Sequence, residues 1–289
     1  MKFGVIHETA KEYHYSIEKM CRLLRVSRSG YYEWLGRGES PRKNKEHQLK
    51  EKILTIFEQH HKRYGSPRIH ADLRNQGICC SKKRVERIMR EIGLRARRKR
   101  KFVVTTDSNH DYPFAENILN RQFQVNAPNQ VWTTDFTYIR TLEGWLYLAG
   151  VMDLFSRKIV GWAMQDNTEA TLTISALEMA IQRRRPTKGL MHHSDRGIQY
   201  ACDDYRAVLQ ENYMICSMSR KGNCWDNAPM ESFFGTLKTE CIKGKTYLTR
   251  AQAKREIFEY IEIYYNRRRL HSSIGNVTPE NFEIFKKCA

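Results

Sequence analysis

From residue 130 onward the sequence commits the chain to a sheet flanked by helices. The run "QVWTTDFTYIR", residues 130–140, is rich in Trp, Thr, Phe and Tyr and alternates as a strand does. Val131, Thr133, Thr137 and Ile139 fall on one side, with Trp132, Thr134, Phe136 and Tyr138 on the other. "WLYLAGVMDLFSRKIVGWAMQD" predicts two more strands around a turn near Leu154–Arg157. Helical and strand texture then alternate: a helix over 169–184, a strand in "GLMHHSD", a helix in "YRAVLQEN" and a strand in "YMICSM". Three early strands followed by this alternation predict an α/β fold on a mixed sheet. A Gly-containing loop over 219–227 leads into a helix whose expected cap is Asn227. The Thr-x-x-Gln of "TRAQ", residues 249–252, opens a last helix with Ala253, Ile257, Ile261 and Tyr264 on one face. It ends in the basic stretch "NRRRLHSSIGN".

Ahead of the sheet the texture is helical and basic. Of the formal net charge of +18, residues 1–104 carry +16, from 27 Lys and Arg against 11 Asp and Glu. Residues 105–289 hold 23 against 21. An excess so confined points to a polyanion-binding end joined to a nearly neutral one. Ser16 is placed to cap a helix with Ile17, Met20 and Leu24 on one face, and Ser27 a second with Tyr31, Trp34 and Leu35 packing inward. That pair suits a helix-turn-helix presenting Arg28 to DNA. The pattern recurs. "SPRIHADLRNQG" reads as a Ser66 cap, Pro67 at the first helical position and a stop at Gly77. "SKKRVERIMREIG" reads as a Ser81 cap and an apolar stripe of Val85, Ile88, Met89 and Ile92, leaving Lys82, Lys83, Arg87 and Arg90 outside. "RARRKRK", with Arg97, Arg98, Lys99, Arg100 and Lys101, suits an arm that tracks phosphates. The expected organisation is a helix-turn-helix over 1–40, a second with its basic arm over 41–104, a linker over 105–125, a catalytic core over 126–245 and a C-terminal helical extension over 246–289.

No apolar run reaches the roughly 20 residues of a membrane span, and the N-terminus lacks an apolar signal core, so a cytoplasmic protein is expected. The eight cysteines show no Cys-x-x-Cys pair and read as free thiols. His60-His61 with Cys79-Cys80 lack the usual spacing of a zinc site.

Three acids stand where acids are costly or exposed to a ligand. Asp135 is mid-strand, Asp195 directly follows a short strand, and Glu231 lies in the first turns of a helix. Strand ends and helix starts meet at one edge of an α/β sheet, where ligands bind. Gathered there, three carboxylates would need cations; hard oxygen donors and a phosphate substrate point to Mg²⁺ or Mn²⁺, two ions per site, acting on a phosphodiester. Each acid alone also has an ordinary reading: an ion pair, a turn, a complement to the helix dipole. Asp153 is the rival acid, read as closing the strand turn.

The Asp195–Glu231 gap of 35 residues, with Lys238 seven beyond the Glu, resembles the Asp, Asp-35-Glu core of retroviral integrases and related insertion-sequence transposases. So do "VWTTDFTYI", "MDLFSRKIVGW", "HHSDRGIQY", "KGNCWDNAPMESFFGTLKTE" and "YYNRRRLHSSIGNVTPENF". The resemblance covers nearly the whole chain. It implies a ribonuclease H-like core with a mixed five-stranded sheet, with Asp135, Asp195 and Glu231 as catalytic metal ligands. Lys238, two helical turns beyond Glu231 and on roughly the same face, is expected on phosphate, a plain surface lysine being the other reading. It further implies DNA as partner, both terminal repeats and target, a homo-oligomer on DNA, and a bacterial, nucleoid-associated setting. In related elements the first joining links the two ends of one element into a circle. Many such elements encode an upstream helix-turn-helix product with a leucine zipper, joined by frameshifting. No zipper heptads occur here, so the chain resembles the second-frame product and the upstream product is a possible partner. The zinc-binding His-His-Cys-Cys domain of the retroviral members is not recognisable. Alternative readings are a ribonuclease H-like nuclease, which cuts without joining, and a catalytically idle DNA-binding regulator.

Trp225 and Asn227 lie in the loop before the catalytic helix, Trp225 reading equally as a core anchor. His192 or His193 could orient Asp195, with plain packing as the other reading. Arg267, Arg268 and Arg269 read as DNA contacts or as complements to a helix C-terminus.

Overall fold

The computed structural model describes residues 2–37, 41–96 and 114–287; Arg97, Arg98, Lys99, Arg100 and Lys101 lie outside them. The chain divides into two compact units, Met1–Gln59 and His60–Ala289.

The first unit holds α1 (Lys2–Tyr13), α2 (Ile17–Leu23), α3 (Arg28–Gly36) and α4 (Pro41–Gln59). Ser27 caps α3, its Oγ accepting from the Gly30 N–H at 2.9 Å. Ile6, Cys21 and Tyr31 form a small core ringed by Phe3, Ile17, Met20, Leu24 and Val26. Trp34 and Leu35 do not pack inward as expected; they are 38% and 47% exposed. Tyr31 already fills the core, and Trp34 is flanked by Phe3 at 6.0 Å and His7 at 6.1 Å. In α4 the buried residues are Leu49, Ile53, Ile56 and Phe57, an i, i+4, i+7, i+8 stripe.

The second unit opens with α5 (Ser66–Asn75) and α6 (Lys82–Glu91). Gly65, not Ser66, takes the N-cap position of α5, and Gly77 at φ 77° reverses the chain beyond its end. Ser81 caps α6 through a 3.3 Å bond from the Arg84 N–H. Val85, Ile88 and Met89 are buried, while Ile92, at the C-cap, emerges from the stripe.

Five strands make the sheet: β1 (Val131–Thr141), β2 (Gly144–Asp153), β3 (Ile159–Gln165), β4 (Met191–Ser194) and β5 (Ile215–Met218), in the order 3-2-1-4-5. β1, β2 and β3 run antiparallel, and β4 and β5 run parallel to β1. Between and after them come α7 (Ala170–Arg184), α8 (Ile198–Ala201), α9 (Asp203–Glu211), α10 (Ala228–Leu237), α11 (Arg250–Phe258) and α12 (Pro279–Lys287). α10 and α11 each run on into wide π-helical turns, Lys238–Ile242 and Glu259–Tyr265. Trp132, Val151, Val160, Leu172, Leu177, Tyr200 and Tyr205 share one core. α7 sits so close to β3 that a Cβ on Gly161 would lie 2.2 Å from the Ala176 carbonyl, so only glycine fits. On β2, a Cβ on Gly150 would lie 3.3 Å from Met230 of α10. Trp132, Thr133 and Thr134 are all buried, so β1 is covered on both faces. No helix among the described residues is long and apolar enough to cross a membrane.

Candidate active site

Asp135 stands at the middle of β1, opposite Gly150 of β2. β1 and β4 pair in parallel with Thr133 beside His193. Two residues on from that pair come Asp135 and Asp195, so the register that aligns the strands also carries the second carboxylate toward the first. Asp195 Oδ1 accepts from the Gly197 N–H at 2.9 Å.

Glu231 arrives from the other side of the sequence, in the first turn of α10. Asn227 occupies the N-cap position there, but its side chain makes no capping bond. It reaches β1 instead: Oδ1 accepts from the Thr133 hydroxyl, and Nδ2 donates to the Thr134 carbonyl at 2.9 Å. The brace therefore joins the residues just before Asp135 to the residue four before Glu231. Asn227→Ala would leave a buried hydroxyl and carbonyl without that partner, and is expected to cost about 1–3 kcal/mol in chemical denaturation.

Burial raises the Asp135 carboxyl well above the ordinary range; the charge of Asp195 adds to this, and Glu231 adds less, against a bond from the Phe136 N–H and the pull of Lys238. Burial also raises Glu231. Lys238 lies with its Nζ 4.8 Å from the Tyr138 ring centroid; partial desolvation lowers its pKa, and Asp135 opposes that. Asp195, Glu231 and this lysine thus all lie within electrostatic reach of Asp135.

The donor set fits a hard divalent cation: three half-buried carboxylates, of which Asp135 and Glu231 form no ion pair among the described residues. Closure is a separate matter. As the side chains stand, no group of three or more His, Cys, Asp or Glu among the described residues is disposed to hold a metal ion.

Apart from Lys238, the sequence-predicted DNA contacts among the described residues lie on two helices. Arg28 begins α3, and Lys82, Lys83 and Arg87 are exposed on α6. Trp225 is 68% exposed and is not a core anchor. Asp153 closes the turn as expected, accepting from the Asn129 and Phe155 N–H groups and pairing with Arg184 at 3.0 Å. Arg269, far from free for DNA, is buried against Glu240. His60 pairs with Asp72 at 3.0 Å rather than with the cysteines.

Neither His192 nor His193 bonds to Asp195. His192 Nε2 meets the Tyr205 hydroxyl at 3.0 Å, and His193 meets Ser217 and Ser219. Burial pushes His192 down to about 3. The folded protein thus refuses a proton that the unfolded chain accepts near 6.5, and stability falls as pH drops below that value, by about 1.4 kcal/mol per unit until the folded pKa is reached. His192→Gln is expected to flatten this acid limb, as read by denaturant midpoints between pH 4 and 7.

Sequence reasoning passed over Asp226. It is fully buried, and holds Arg121 at 2.7 Å, Arg220 at 2.8 Å and Asn117 at 2.8 Å, pinning two segments beside the loop that leads to α10. An Asp in a polar loop gives no sign of burial; only the arginines at 121 and 220 hint at it.

Comparison with known proteins bears on the whole chain. Residues 125–224 and 231–285 each match an integrase core domain, and 43–102 match an HTH-like domain. An uncharacterized 31 kDa protein of insertion element IS600 from Shigella sonnei is 48% identical over 91% of this chain and 97% of its own length. The transposase InsF for insertion sequence IS3A from Escherichia coli is 44% identical over 98% of each chain. With its mixed five-stranded sheet in the ribonuclease H-like arrangement and a helical region ahead of it, the chain belongs to the family of insertion-sequence transposases built on an integrase core.

Proposed function

We propose that the chain cuts a DNA strand at the ends of its element and joins the freed 3′-hydroxyl to another phosphodiester. The observation that supports this reading is that Asp195, Glu231 and Lys238, all far from Asp135 in sequence, each bear electrostatically on the Asp135 carboxyl at the middle of β1. In the first step water attacks phosphorus and the bond to the 3′ oxygen breaks. In the second that 3′ oxygen attacks a new phosphorus and displaces another 3′ oxygen. In this second step one phosphodiester forms for the one broken, so the joining needs no ATP.

Asp135, Asp195 and Glu231 are the residues that would hold Mg²⁺ or Mn²⁺, two ions in the full site; when bound, these supply an acidified water and neutralise charge on the leaving oxygen. The chain's own groups set the stage. The Asn227 brace fixes the start of α10 against β1, so Glu231 approaches Asp135 on a rigid element. Lys238, on the turn after α10, contacts a phosphate near the reacting bond. Arg28 on α3, Lys82, Lys83 and Arg87 on α6, and the basic run 97–101 bind the duplex, mainly through phosphates. The partners are element ends and target DNA, with several copies assembled on them in the bacterial cytoplasm, and the upstream-frame product is a candidate partner.

The test is product analysis with labelled element ends and Mg²⁺, with and without the upstream product. A joined strand is expected. Nicking without joining would make the chain a nuclease, and binding without nicking would make it a regulator.

A further inference from the structure

A recess of about 480 Å³ opens between the turn that leads into α5 and the π-helical continuation of α11. None of the three carboxylates lines it. Its wall includes Arg63, Arg268, Lys245, Tyr260 and His61, whose ring lies 6.3 Å from that of Tyr264. The Arg63 guanidinium lies 4.3 Å from the Tyr264 ring centroid and 5.3 Å from that of Tyr260. Its Nε donates to the Glu240 carbonyl at 3.1 Å. The terminal nitrogens of Arg63 make no bond among the described residues, and neither Arg63 nor Arg268 meets a carboxylate there. The acids of the wall are committed elsewhere: Glu240 to Arg269, Glu256 to Lys245 and Glu259 to Arg255.

A second recess, of about 340 Å³, provides the contrast. Its wall carries more cations than acids, yet Lys158 and Arg267 pair with Glu280, Arg183 pairs with Glu262, and Arg184 pairs with Glu283. Cations satisfied by carboxylates have nothing left to recognise. The first recess keeps two arginines in reserve.

We propose that this recess seats a phosphodiester of the DNA strand held by the same chain, with Arg63 and Arg268 as its contacts. The proposal rests on the reading of the chain as a DNA transposase. A planar guanidinium offers paired donors that match two phosphate oxygens, and two of them beside a ring wall fit a backbone phosphate. Arg68 of α5 lies 3.6 Å from Glu240 of the recess wall, so the recess adjoins the α5–α6 pair and a strand bound to that pair runs beside it.

The full chain is titrated with element-end DNA over a salt series, without divalent ions so that no cleavage intervenes. Arg268→Gln, on an exposed side chain, and Arg63→Gln are compared with Arg267→Gln from the second recess, and thermal melts confirm folding. Each of the first two is expected to weaken binding several-fold, irrespective of DNA sequence, and to reduce the salt slope by about one, the loss of one phosphate contact. Arg267→Gln is expected to leave the slope unchanged. Equal losses in all three variants would make the effect diffuse charge and overturn the site. Unchanged slopes in folded variants would overturn it too, while wild-type binding would leave the transposase reading standing. Failure of the wild type to bind DNA would overturn both. Thermal stabilisation by inorganic phosphate alone, with an unchanged DNA slope, would assign the recess to a free anion and overturn the strand.

Discussion

Asp135→Asn is expected to lower strand transfer by a factor on the order of 10³, the scale set by removing one preorganised charge-stabilising group, while DNA affinity stays within about twofold. The same change is expected to raise the melting temperature. Burial first, and the neighbouring Asp195 charge next, hold the Asp135 carboxyl well above its ordinary range. The folded state therefore binds that proton more readily than the unfolded chain does, so the ionised group subtracts from stability as pH rises from the unfolded pKa toward the folded one, and stays subtracted above it. An amide keeps the shape and removes the charge. Glu231→Gln is expected to abolish transfer similarly with a smaller stability gain, because burial alone raises that carboxyl. Activity lost while stability rises is the trade expected of a functional acid. A variant that melts earlier yet keeps full transfer would mark Asp135 as a structural strand acid instead.

The largest loss of stability is expected at Glu240→Ala. Glu240 sits in the wide turn after α10 and accepts from Arg269 at 2.9 Å and from the Tyr260 hydroxyl at 2.9 Å, with Arg68 3.6 Å away. Arg269 is only 3% exposed, so removing the carboxylate strands a buried guanidinium. Breaking one side of such a pair costs about 3–5 kcal/mol. Replacing both partners, Glu240→Leu with Arg269→Met, is expected to recover most of that, because the desolvation of both charges disappears with them. Urea denaturation of the three proteins checks this. A single-variant cost below about 1 kcal/mol would mean that water reaches the pair.

Much of the architecture is legible in the residues. The strand-rich run from 130, the alternation after it and the serines at 27 and 81 announce the sheet and two capped helices, because these signals are local. What escapes is decided by packing. Tyr31, Trp34 and Leu35 share a helical face, but a core of three buried side chains has room for one of them. α4 carries a fair stripe, yet its long polar stretch hides it.

The candidate site divides along the same line. Residue types and the 35-residue gap single out three acids, but nothing in the sequence says that β4 pairs with β1 in the register that sets Asp195 toward Asp135. That register is a property of the crossover through α7. Asn227 reads as a helix cap because Asn before a helix usually is one; here its amide bonds to Thr133 and Thr134 of β1 and makes no capping bond. Arg269 reads as one of three surface arginines, and only the two wide turns that carry Glu240 and Tyr260 inward explain why it is buried.

The central claim is that Asp135, Asp195 and Glu231 share divalent ions. The most direct measurement is the anomalous scattering of Mn²⁺ in crystals of the protein bound to an element end. Density bridged by Asp135 and Asp195, with Glu231 closing the shell, is the expected result. Manganese held elsewhere, or three carboxylates turned away from one another around the bound DNA, would contradict it.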